Sequence, residues 1–443
     1  MTELLNQAQD LLKAARAAGA DSADAVLVAS DSLGVQRRLG KTEETERAES
    51  RELGLRVFVG QQSAIVSASA IDPAGFARLA EQAVAMARVV PEDIYAFIPE
   101  APPALDDALL DMNDPVEPSM EVLIERAAKA EEAAMAVPGI TNSEGGSAGW
   151  SRSQVVLVTS LGFAGHYKRS SHSVSVSAIA GAGTAMQRDY DYSSAVHAAD
   201  LDDPAKIGAK AAAQALARLN PARPKTAQLP VLFHPRVSGG LVSALAGAIN
   251  GGSIARKTSF LKEKMGARIF APGVFIYDDP FRVRGFRSRM FDGEGQRGEK
   301  RALIEDGVLT SWILDSRTAK QLGLKSTGHA ARGTGGPPGP SATNLYMAPG
   351  SMSPDELMAD IAEGLFITEM MGGGVNGITG DYSRGASGFM IRHGKIAEPV
   401  AEFTIAGHAL AMFANLTPAN DLEFKRGTDA PTIRVEGLTL AGG

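Results

Sequence analysis

The sequence predicts an α+β protein, with an N-terminal mixed α/β domain followed by a C-terminal barrel-like, mostly antiparallel sheet domain with helices. Strand-like and helix-like segments occur in both halves of the chain, without the regular alternation of a βαβ protein. Glycine-centred hairpin signals recur in the second half. The prolines Pro221, Pro224 and Pro230 separate the halves, because proline cannot continue a helix and stiffens linkers.

These prolines place an N-terminal domain at residues 1–222 and a C-terminal, β-rich domain at 228–443. A further division of the first domain near 91–118 stays open, because that segment is rich in Pro and Asp. A chain of 443 residues is long enough for two or three domains.

The first half shows helical spacing of apolar residues, alternating strands and one clear hairpin around Gly60. The predicted helices are 3–18, 73–88, 119–136 and 203–219. The predicted strands are 24–29, 33–39, 53–59 and 64–67, with further antiparallel sheet over 140–188.

The second half begins with a strand at 228–233 and a helix at 236–249. Two hairpins are predicted at Asp306-Gly307, between 302–305 and 308–313, and at His393-Gly394, between 389–392 and 395–397. Another strand is expected at 274–277, and helices at 316–322, 353–364 and 406–415. The glycine-rich stretches 333–340 and 372–377 are interpreted as loops where backbone approaches backbone.

Composition excludes several classes of protein. A chain without cysteine has no disulfides, no thiolate catalysis and no Cys-ligated metal. The net charge of -7 argues against a general nucleic-acid binder. There is no apolar run of membrane-spanning length, and the N-terminus does not resemble a secretory signal, so we expect a cytoplasmic protein.

His234 is the most informative residue, because it stands where an apolar strand leads into a helix of small residues. Metallopeptidases place two zinc-binding His and a general-base Glu at such a junction. Here the His stands alone, with Pro235 after it and Gly239 where a second ligand could reach. It is either a metal ligand or base, or a helix-start residue that satisfies nearby backbone groups; the second interpretation is favoured, since proline suits the first helical position.

The other histidines are dispersed, and none lies at helical spacing from another. His166 and His172 lie in strand-like stretches, and their even separation could put both on one sheet face. That is weak support for a metal site, because a catalytic zinc centre usually has three protein ligands.

Two groups of residues are candidates for peptide binding. Arg282 and Arg284 alternate with apolar residues, which could place both guanidinium groups on one strand face and hold a carboxylate such as a peptide terminus. A solvated face paired with nearby acidic residues is the favoured alternative. The glycines of the 372–377 stretch could pair with an extended peptide through bare backbone groups; they are Gly372, Gly373 and Gly374.

Several motifs of the second half resemble the TldD/PmbA family. They are Asp-Asp-Pro at 278–280, Phe-Asp-Gly-Glu-Gly at 291–295, Ser-Ala-Thr-Asn-Leu-Tyr at 341–346, Gly-Val-Asn-Gly-Ile-Thr-Gly-Asp-Tyr-Ser-Arg-Gly-Ala at 374–386 and Ile-Arg-Val-Glu-Gly-Leu-Thr at 433–439. Together these segments cover most of residues 228–440. The first half agrees in its order of elements.

The resemblance implies one of two types of subunit. TldD-type subunits carry His-Glu-x-x-x-His, complete a zinc site with a later Cys, and are metallopeptidases. PmbA-type subunits, also called TldE, lack these ligands and form a heterodimer with a TldD subunit. The pair degrades unfolded or extended peptides, including peptide-antibiotic precursors and antitoxins.

The motif of this chain is similar to the PmbA type: His234 is kept, Pro235 and Gly239 replace the Glu and the second His, and no Cys exists. One departure is His408, where the resemblance leads us to expect Asn. The resemblance therefore implies no metal and no catalytic residue in this chain, zinc in the TldD-type partner, and a heterodimer, with a homodimer possible when the chain is alone.

Three hypotheses follow. The favoured one is a non-catalytic, substrate-shaping subunit of a TldD-type peptidase, inactive when isolated. The second is a metal-independent hydrolase that uses His234 as its base. The third is a binding module for extended peptides or for a protein such as gyrase, without a protease partner.

Overall fold

The computed structural model describes residues 2–105 and 107–442. In the N-terminal half the elements follow one another as α1 (Thr2–Ala17), β1 (Ser22–Arg38), β2 (Lys41–Val59), β3 (Gln62–Ala68), α2 (Phe76–Ala87), α3 (Met120–Met135), β4 (Ile140–Thr159), β5 (Ala164–Ala180), β6 (Gln187–Ala195) and α4 (Pro204–Ala217). The strands form one antiparallel sheet in the order β3-β2-β1-β4-β5-β6.

The two faces of this sheet have different partners, as the period of two in a β-strand allows. On β1, Ala25 and Leu27 pack in a core with α1 and α2, while Leu33 and Val35 pack against α3. Val26, which points to the opposite face, packs in a cluster that contains Phe291 of the second half. One face therefore carries helices and the other meets the C-terminal half.

The C-terminal half contains short strands, helices and a barrel. Its elements are β7 (Ala227–Phe233), α5 (Pro235–Ala248), α6 (Gly251–Ala255), β8 (Ile276–Asp278), β9 (Arg301–Glu305), β10 (Val308–Leu309), α7 (Ser316–Leu322), β11 (Ala330–Ala331), β12 (Gly339–Pro340), β13 (Leu345–Met347), α8 (Pro354–Met358), β14 (Glu363–Val375), β15 (Asp381–Arg392), β16 (Lys395–His408), α9 (Ala409–Ala414), β17 (Leu416–Pro418), β18 (Thr428–Asp429) and β19 (Ile433–Ala441).

Five of these strands close into a barrel. They follow the order β16-β15-β14-β7-β19, and an additional pairing of β16 with β19 completes the ring. The β7–β14 pair is parallel, and the other pairs of the ring are antiparallel. A second sheet has the order β10-β9-β8-β13-β18, and residues of the barrel, α5 and this sheet share one apolar core. The predicted α+β class with a barrel-like second half is confirmed.

Both predicted hairpins of the second half form, since β9 pairs with β10 and β15 with β16. Several predicted boundaries were wrong. The strands 24–29 and 33–39 are one strand, β1, which pairs along its length with β2. The helix expected at 353–364 ends at Met358, and β14 follows it.

Two segments of functional interest also differ from the prediction. The glycines at 372–374 lie within β14 rather than in a loop, at a shift of its register against β15. The segment 281–289 is not an extended strand but a succession of turns, in which Arg284 has a φ of 54°. No helix among the described residues combines the length and apolar content that a membrane crossing needs.

Candidate functional site

The candidate site lies where β7 ends and α5 begins. β7 runs between β14 and β19 in the barrel. The backbone N–H of His234 still donates to the carbonyl of Ile367 on β14, at 3.0 Å. Pro235 then opens α5 at its first position, where a missing N–H costs nothing. The barrel thus fixes the position of His234 at the entrance to the helix.

The imidazole of His234 caps this helix. Its Nδ1 accepts a hydrogen bond from the backbone N–H of Arg236 at 3.0 Å, and its ring meets Phe366 edge to face, with 5.7 Å between ring centroids. Burial, together with the nearby positive charges of Arg236 and Lys210, lowers the pKa of His234 to about 4. The ring is therefore neutral near pH 7.

Gly239 lies in α5, on the side that faces the backbone of Thr428. A Cβ built on Gly239 would lie 3.0 Å from the carbonyl oxygen of Thr428 in β18. Ser238, the residue before it, is buried and donates to the carbonyl of Ala430 at 3.2 Å. A larger side chain at position 239 would have to displace this segment.

Two arginines tie the helix entrance to its surroundings. Arg236 donates to the carboxylate of Asp189 at 2.5 Å and to the carbonyl of Tyr190 at 2.6 Å, both on β6. Arg426 donates to the carbonyls of Pro235 and Arg236 at 2.9 and 3.0 Å. Sequence reasoning assigned no role to these arginines, because their partners are distant in sequence and no local pattern marks them.

A cavity of about 60 Å³ borders His234. Its charged lining is mixed in sign, with Lys210, Arg236, Lys425, Asp191 and Glu423. Such a lining suits polar contacts with a peptide backbone or with another protein rather than a strong field of one sign.

The residues present do not fit a zinc ion. Within residues 2–105 and 107–442, no group of three or more His, Cys, Asp or Glu side chains could hold a metal. His408, the departure noted in the sequence, caps α9 instead: its Nδ1 accepts from the N–H of Leu410 at 3.3 Å, and its Nε2 lies 2.9 Å from the carbonyl of Thr379.

His166 and His172 are not brought together. Both lie on β5, six residues apart, which corresponds to about 20 Å along an extended strand. His166 is exposed, whereas His172 is buried with its Nε2 3.2 Å from the Asp114 carboxylate. The even number of residues between them predicted a common sheet face, but it did not take into account the distance along the strand.

Arg282 and Arg284 do not share a strand face, because 281–289 is not extended, so the predicted alternating arrangement was wrong. Arg282 stacks on the ring of Phe424, and Arg284 pairs with Asp111 and Asp200 at 2.6 and 2.8 Å. These acidic partners belong to the N-terminal half, not to the neighbouring residues that the sequence suggested. Peptide binding by Arg282 or Arg284 stays a prediction.

Gly372, Gly373 and Gly374 form an irregular, largely exposed end of β14. All three have positive φ, and a Cβ on Gly373 would lie 2.1 Å from the carbonyl oxygen of Ser383. The expected close approach of backbone to backbone is thus present. Within β14, residues 365–367 pair with β7 on one side and β15 on the other. Among the described residues, the rest of β14 has β15 as its one strand partner.

Comparison with known proteins places the chain in a family. Models of the PmbA/TldA metallopeptidase domain 1, central domain and C-terminal domain match residues 23–87, 113–219 and 226–442. The chain is 36% identical over 425 residues to the metalloprotease PmbA of Escherichia coli O157:H7, covering 95% of this chain and 92% of that protein. It is 33% identical over 443 residues to the PmbA homolog of Haemophilus influenzae, covering 99% and 96%.

A solved structure agrees in fold. TldE from Thermococcus kodakarensis superposes with a TM-score of 0.88 over 98% of this chain and 100% of that one, at 21% identity. The level of identity to the two PmbA proteins over nearly full length carries the assignment. The chain therefore belongs to the PmbA/TldD metallopeptidase family, as a member of its PmbA, or TldE, type.

Proposed function

We propose that this chain is a non-catalytic subunit that pairs with a TldD-type zinc metallopeptidase, and that the complex cleaves unfolded or extended peptides in the cytoplasm. Peptide-antibiotic precursors and antitoxins are the substrates that the family resemblance implies. The observation that carries the proposal is the start of α5, where a half-buried histidine caps the helix and the position of the second ligand is occupied by glycine.

Zinc hydrolysis needs more groups than this entrance supplies. Three protein ligands commonly hold the ion, and a carboxylate takes the proton of the bound water. Pro235 has no carboxylate, and Gly239 has no side chain in a place where Thr428 leaves little room for one. The lone imidazole of His234 cannot perform these roles together.

The alternative in which His234 acts as a base without metal is also poorly supported. A general base works best when its pKa lies near the working pH. The pKa of His234 is lowered to about 4, which makes the ring a weak proton acceptor near neutrality. Its Nδ1 is moreover engaged by the N–H of Arg236.

A role in shaping the substrate is supported by β14. The backbone beyond Ile367 has a strand neighbour on one side only, and its glycine residues leave the backbone uncovered. Extended peptides add to such edges through main-chain hydrogen bonds, which recognise extended conformation rather than a particular sequence.

The proposal is tested by purifying the chain alone and together with a TldD-type subunit from the same organism. We expect substoichiometric zinc and no cleavage of an unfolded peptide by the isolated chain, and cleavage by the mixture. Metal analysis and mass spectrometry of the products make both measurements. Stoichiometric zinc together with cleavage by the isolated chain would refute the proposal.

A matched pair of variants separates a capping role of His234 from a chemical one. In the reconstituted complex, both His234→Asn and His234→Ala should retain peptide turnover, because neither residue is required as a base. Loss of turnover in both variants, with the complex still assembled, would favour the metal-independent hydrolase.

A further inference from the structure

A second cavity, unrelated to the start of α5, lies between the two halves of the molecule. It has a volume of about 240 Å³. Val26 and Leu157 on the N-terminal sheet form one wall, and Phe291 of the C-terminal half forms another. These three side chains belong to the apolar cluster that joins the halves. Part of any occupant would therefore rest against hydrocarbon.

Four arginines also line this cavity: Arg169, Arg287, Arg289 and Arg332. They come from β5 and from two separate segments of the second half. Arg287 is exposed, whereas the side chain of Arg332 retains 2% of its accessible surface. The arrangement places cationic groups both in an exposed position and deep in the interface.

The positive charge of these arginines is incompletely neutralised by the described residues. Arg332 pairs with Asp24, but Asp24 is shared with Arg56. Arg169 and Arg289 form no ion pair within 2–105 and 107–442; they donate to the carbonyls of Ser288 and Ala330, each at 2.9 Å.

The acidic residue of the lining, Asp292, is already engaged. The carboxylate of Asp292 accepts backbone hydrogen bonds from Glu294, Gln296 and Ala330, at 2.8 to 3.0 Å. Burial raises the pKa of Asp292, which weakens it as a counter-charge. Asp292 is therefore not a substitute for an external anion.

Donor groups remain unused. Among the described residues, Nε of Arg169 and both Nε and Nη2 of Arg289 and Arg332 are buried without a hydrogen-bond partner. A buried N–H donor without an acceptor destabilises the fold, because it has lost its hydrogen bond to water. An oxyanion would remove this cost, because guanidinium groups bind carboxylate oxygens through paired hydrogen bonds.

We propose that this cavity binds a small organic carboxylate whose apolar body lies against Val26, Leu157 and Phe291 while its oxygens are held by Arg169, Arg289 and Arg332. Inorganic phosphate would satisfy the arginines and leave the apolar walls unused, so an organic anion fits the lining better. The carboxylate belongs either to a free acid or to the C-terminus of a peptide with an apolar last residue. The site does not depend on peptidase activity.

Isothermal titration calorimetry on the full chain tests the site with defined probes. Isocaproate should bind, whereas isocaproamide, which has the same shape without the charge, should bind at least about tenfold more weakly. A peptide ending in leucine, with a free or an amidated C-terminus, distinguishes the two sources. If the peptide with a free C-terminus binds more tightly than isocaproate, the ligand of the cavity is a peptide terminus. If isocaproate binds more tightly, the ligand is a free acid.

Variants connect binding to the arginines. Arg289→Gln should weaken isocaproate binding about tenfold or more, and the exposed Arg287→Gln, which leaves the interior intact, should weaken it less. Arg268→Gln is the matched control, since this exposed arginine pairs with Asp306 outside the cavity. The affinity of the Arg268→Gln variant for isocaproate should equal that of the unmodified chain.

Several results would overturn the proposal. They are absence of isocaproate binding to the intact chain, equal binding of the amide, binding of inorganic phosphate without binding of the carboxylate, or unchanged binding in a folded Arg289→Gln variant. Because the first three use the unmodified chain, they do not depend on how the variant folds.

Discussion

At the scale of single residues, the imidazole of His234 is a side-chain cap of α5. Its Nδ1 satisfies a backbone N–H that no helical carbonyl can reach. Its environment keeps the ring neutral, because burial and the charge of Arg236 both oppose protonation. These two properties have separate and measurable consequences for stability.

Replacement of His234 should change how stability depends on pH. The pKa of His is ordinarily about 6.5 and falls to about 4 in the folded chain, so below pH 6.5 the unfolded state binds the proton more readily. The wild-type chain should therefore lose on the order of 3 kcal/mol from this group as pH falls from 7 to 4. The His234→Asn variant keeps a capping oxygen, and it should not lose this stability between pH 7 and pH 4 because asparagine does not titrate.

Urea unfolding of both chains at pH 7 and pH 4 measures the difference. His234→Ala is the matched comparison: at pH 7 it should be less stable than His234→Asn by about 1 kcal/mol, since alanine cannot cap. Parallel pH profiles for the wild type and His234→Asn would show that the ring titrates normally in the fold.

At the scale of elements, β14 combines an ordered barrel strand with an irregular end. Its residues 365–367 are held between β7 and β15, whereas the pair Gly372-Gly373 bulges out of the ladder with β15. Arg384 donates to the carbonyl of Gly372 at 2.9 Å and fixes the bulge from the neighbouring strand. The two adjacent glycines have the same φ but different surroundings.

These glycines allow backbone strain to be separated from steric conflict. Both have a φ of 54°, so alanine at either position should cost about 1–2 kcal/mol of left-handed strain. A Cβ on Gly372 meets nothing within 4 Å, whereas one on Gly373 would lie 2.1 Å from the Ser383 oxygen. Gly373→Ala should therefore lose a further ~1–3 kcal/mol relative to Gly372→Ala.

Equilibrium unfolding of the two alanine variants tests this difference. If both variants unfold at the same denaturant concentration, the close approach of Gly373 to β15 is not part of the stable fold. In the reconstituted complex, peptide turnover of Gly372→Ala would additionally show whether this end of β14 takes part in substrate binding.

The sequence predicted the elements whose stabilising contacts are local. The hairpins at Asp306-Gly307 and His393-Gly394 follow from turn chemistry, and the position of Pro235 as the first residue of α5 follows from helix-start preferences. The exposed, charged first part of β2, at 41–52, was missed, because it lacks apolar alternation and is a strand only through pairing with β1.

The candidate site was predicted only in part for the same reason. His234, Pro235 and Gly239 are close in sequence and could be recognised together. Arg236 and Arg426 could not, because their partners lie about 45 and 190 residues away. The common strand face predicted for Arg282 and Arg284 was wrong because Arg284 takes a left-handed conformation and reaches acidic residues of the other half.

At the scale of the whole molecule, charged pairs join the two halves, and most of them run in one direction; Arg218, which pairs with Glu369, is an exception. Arginines of the C-terminal half repeatedly reach aspartates of the N-terminal half. The pairs are Arg236–Asp189, Arg284–Asp111, Arg284–Asp200, Arg317–Asp93 and Arg332–Asp24. Exposed pairs contribute little, so the buried ones should dominate the stability of this junction.

Replacement of Asp189 tests how much a buried charged pair stabilises the junction between the halves. Asp189 is buried, and its carboxylate pairs with Arg236 at 2.5 Å and with Arg218 at 3.3 Å. Asp189→Asn leaves these partly buried guanidinium groups without that counter-charge, and should cost about 3–5 kcal/mol. Urea unfolding followed by circular dichroism should also show a broader transition, as the halves separate before they unfold.

Asp203→Asn is the matched control for this substitution. Asp203 caps α4 and pairs with Lys129 on the surface, and asparagine caps equally well. Its cost should stay below about 1 kcal/mol. Equal losses in the two variants would mean that the junction does not depend on Asp189.

The closure of the barrel has a consequence for synthesis in the cell. β7 lies between β14 and β19, yet β19 begins about 200 residues after β7. At 5–20 residues per second, the ribosome reaches β19 on the order of 10–40 s after β7 has been made. β14 itself begins about 130 residues after β7, so the apolar residues of β7 first lack both strand neighbours and then lack β19. We expect the nascent chain to engage a holding chaperone until β19 is released.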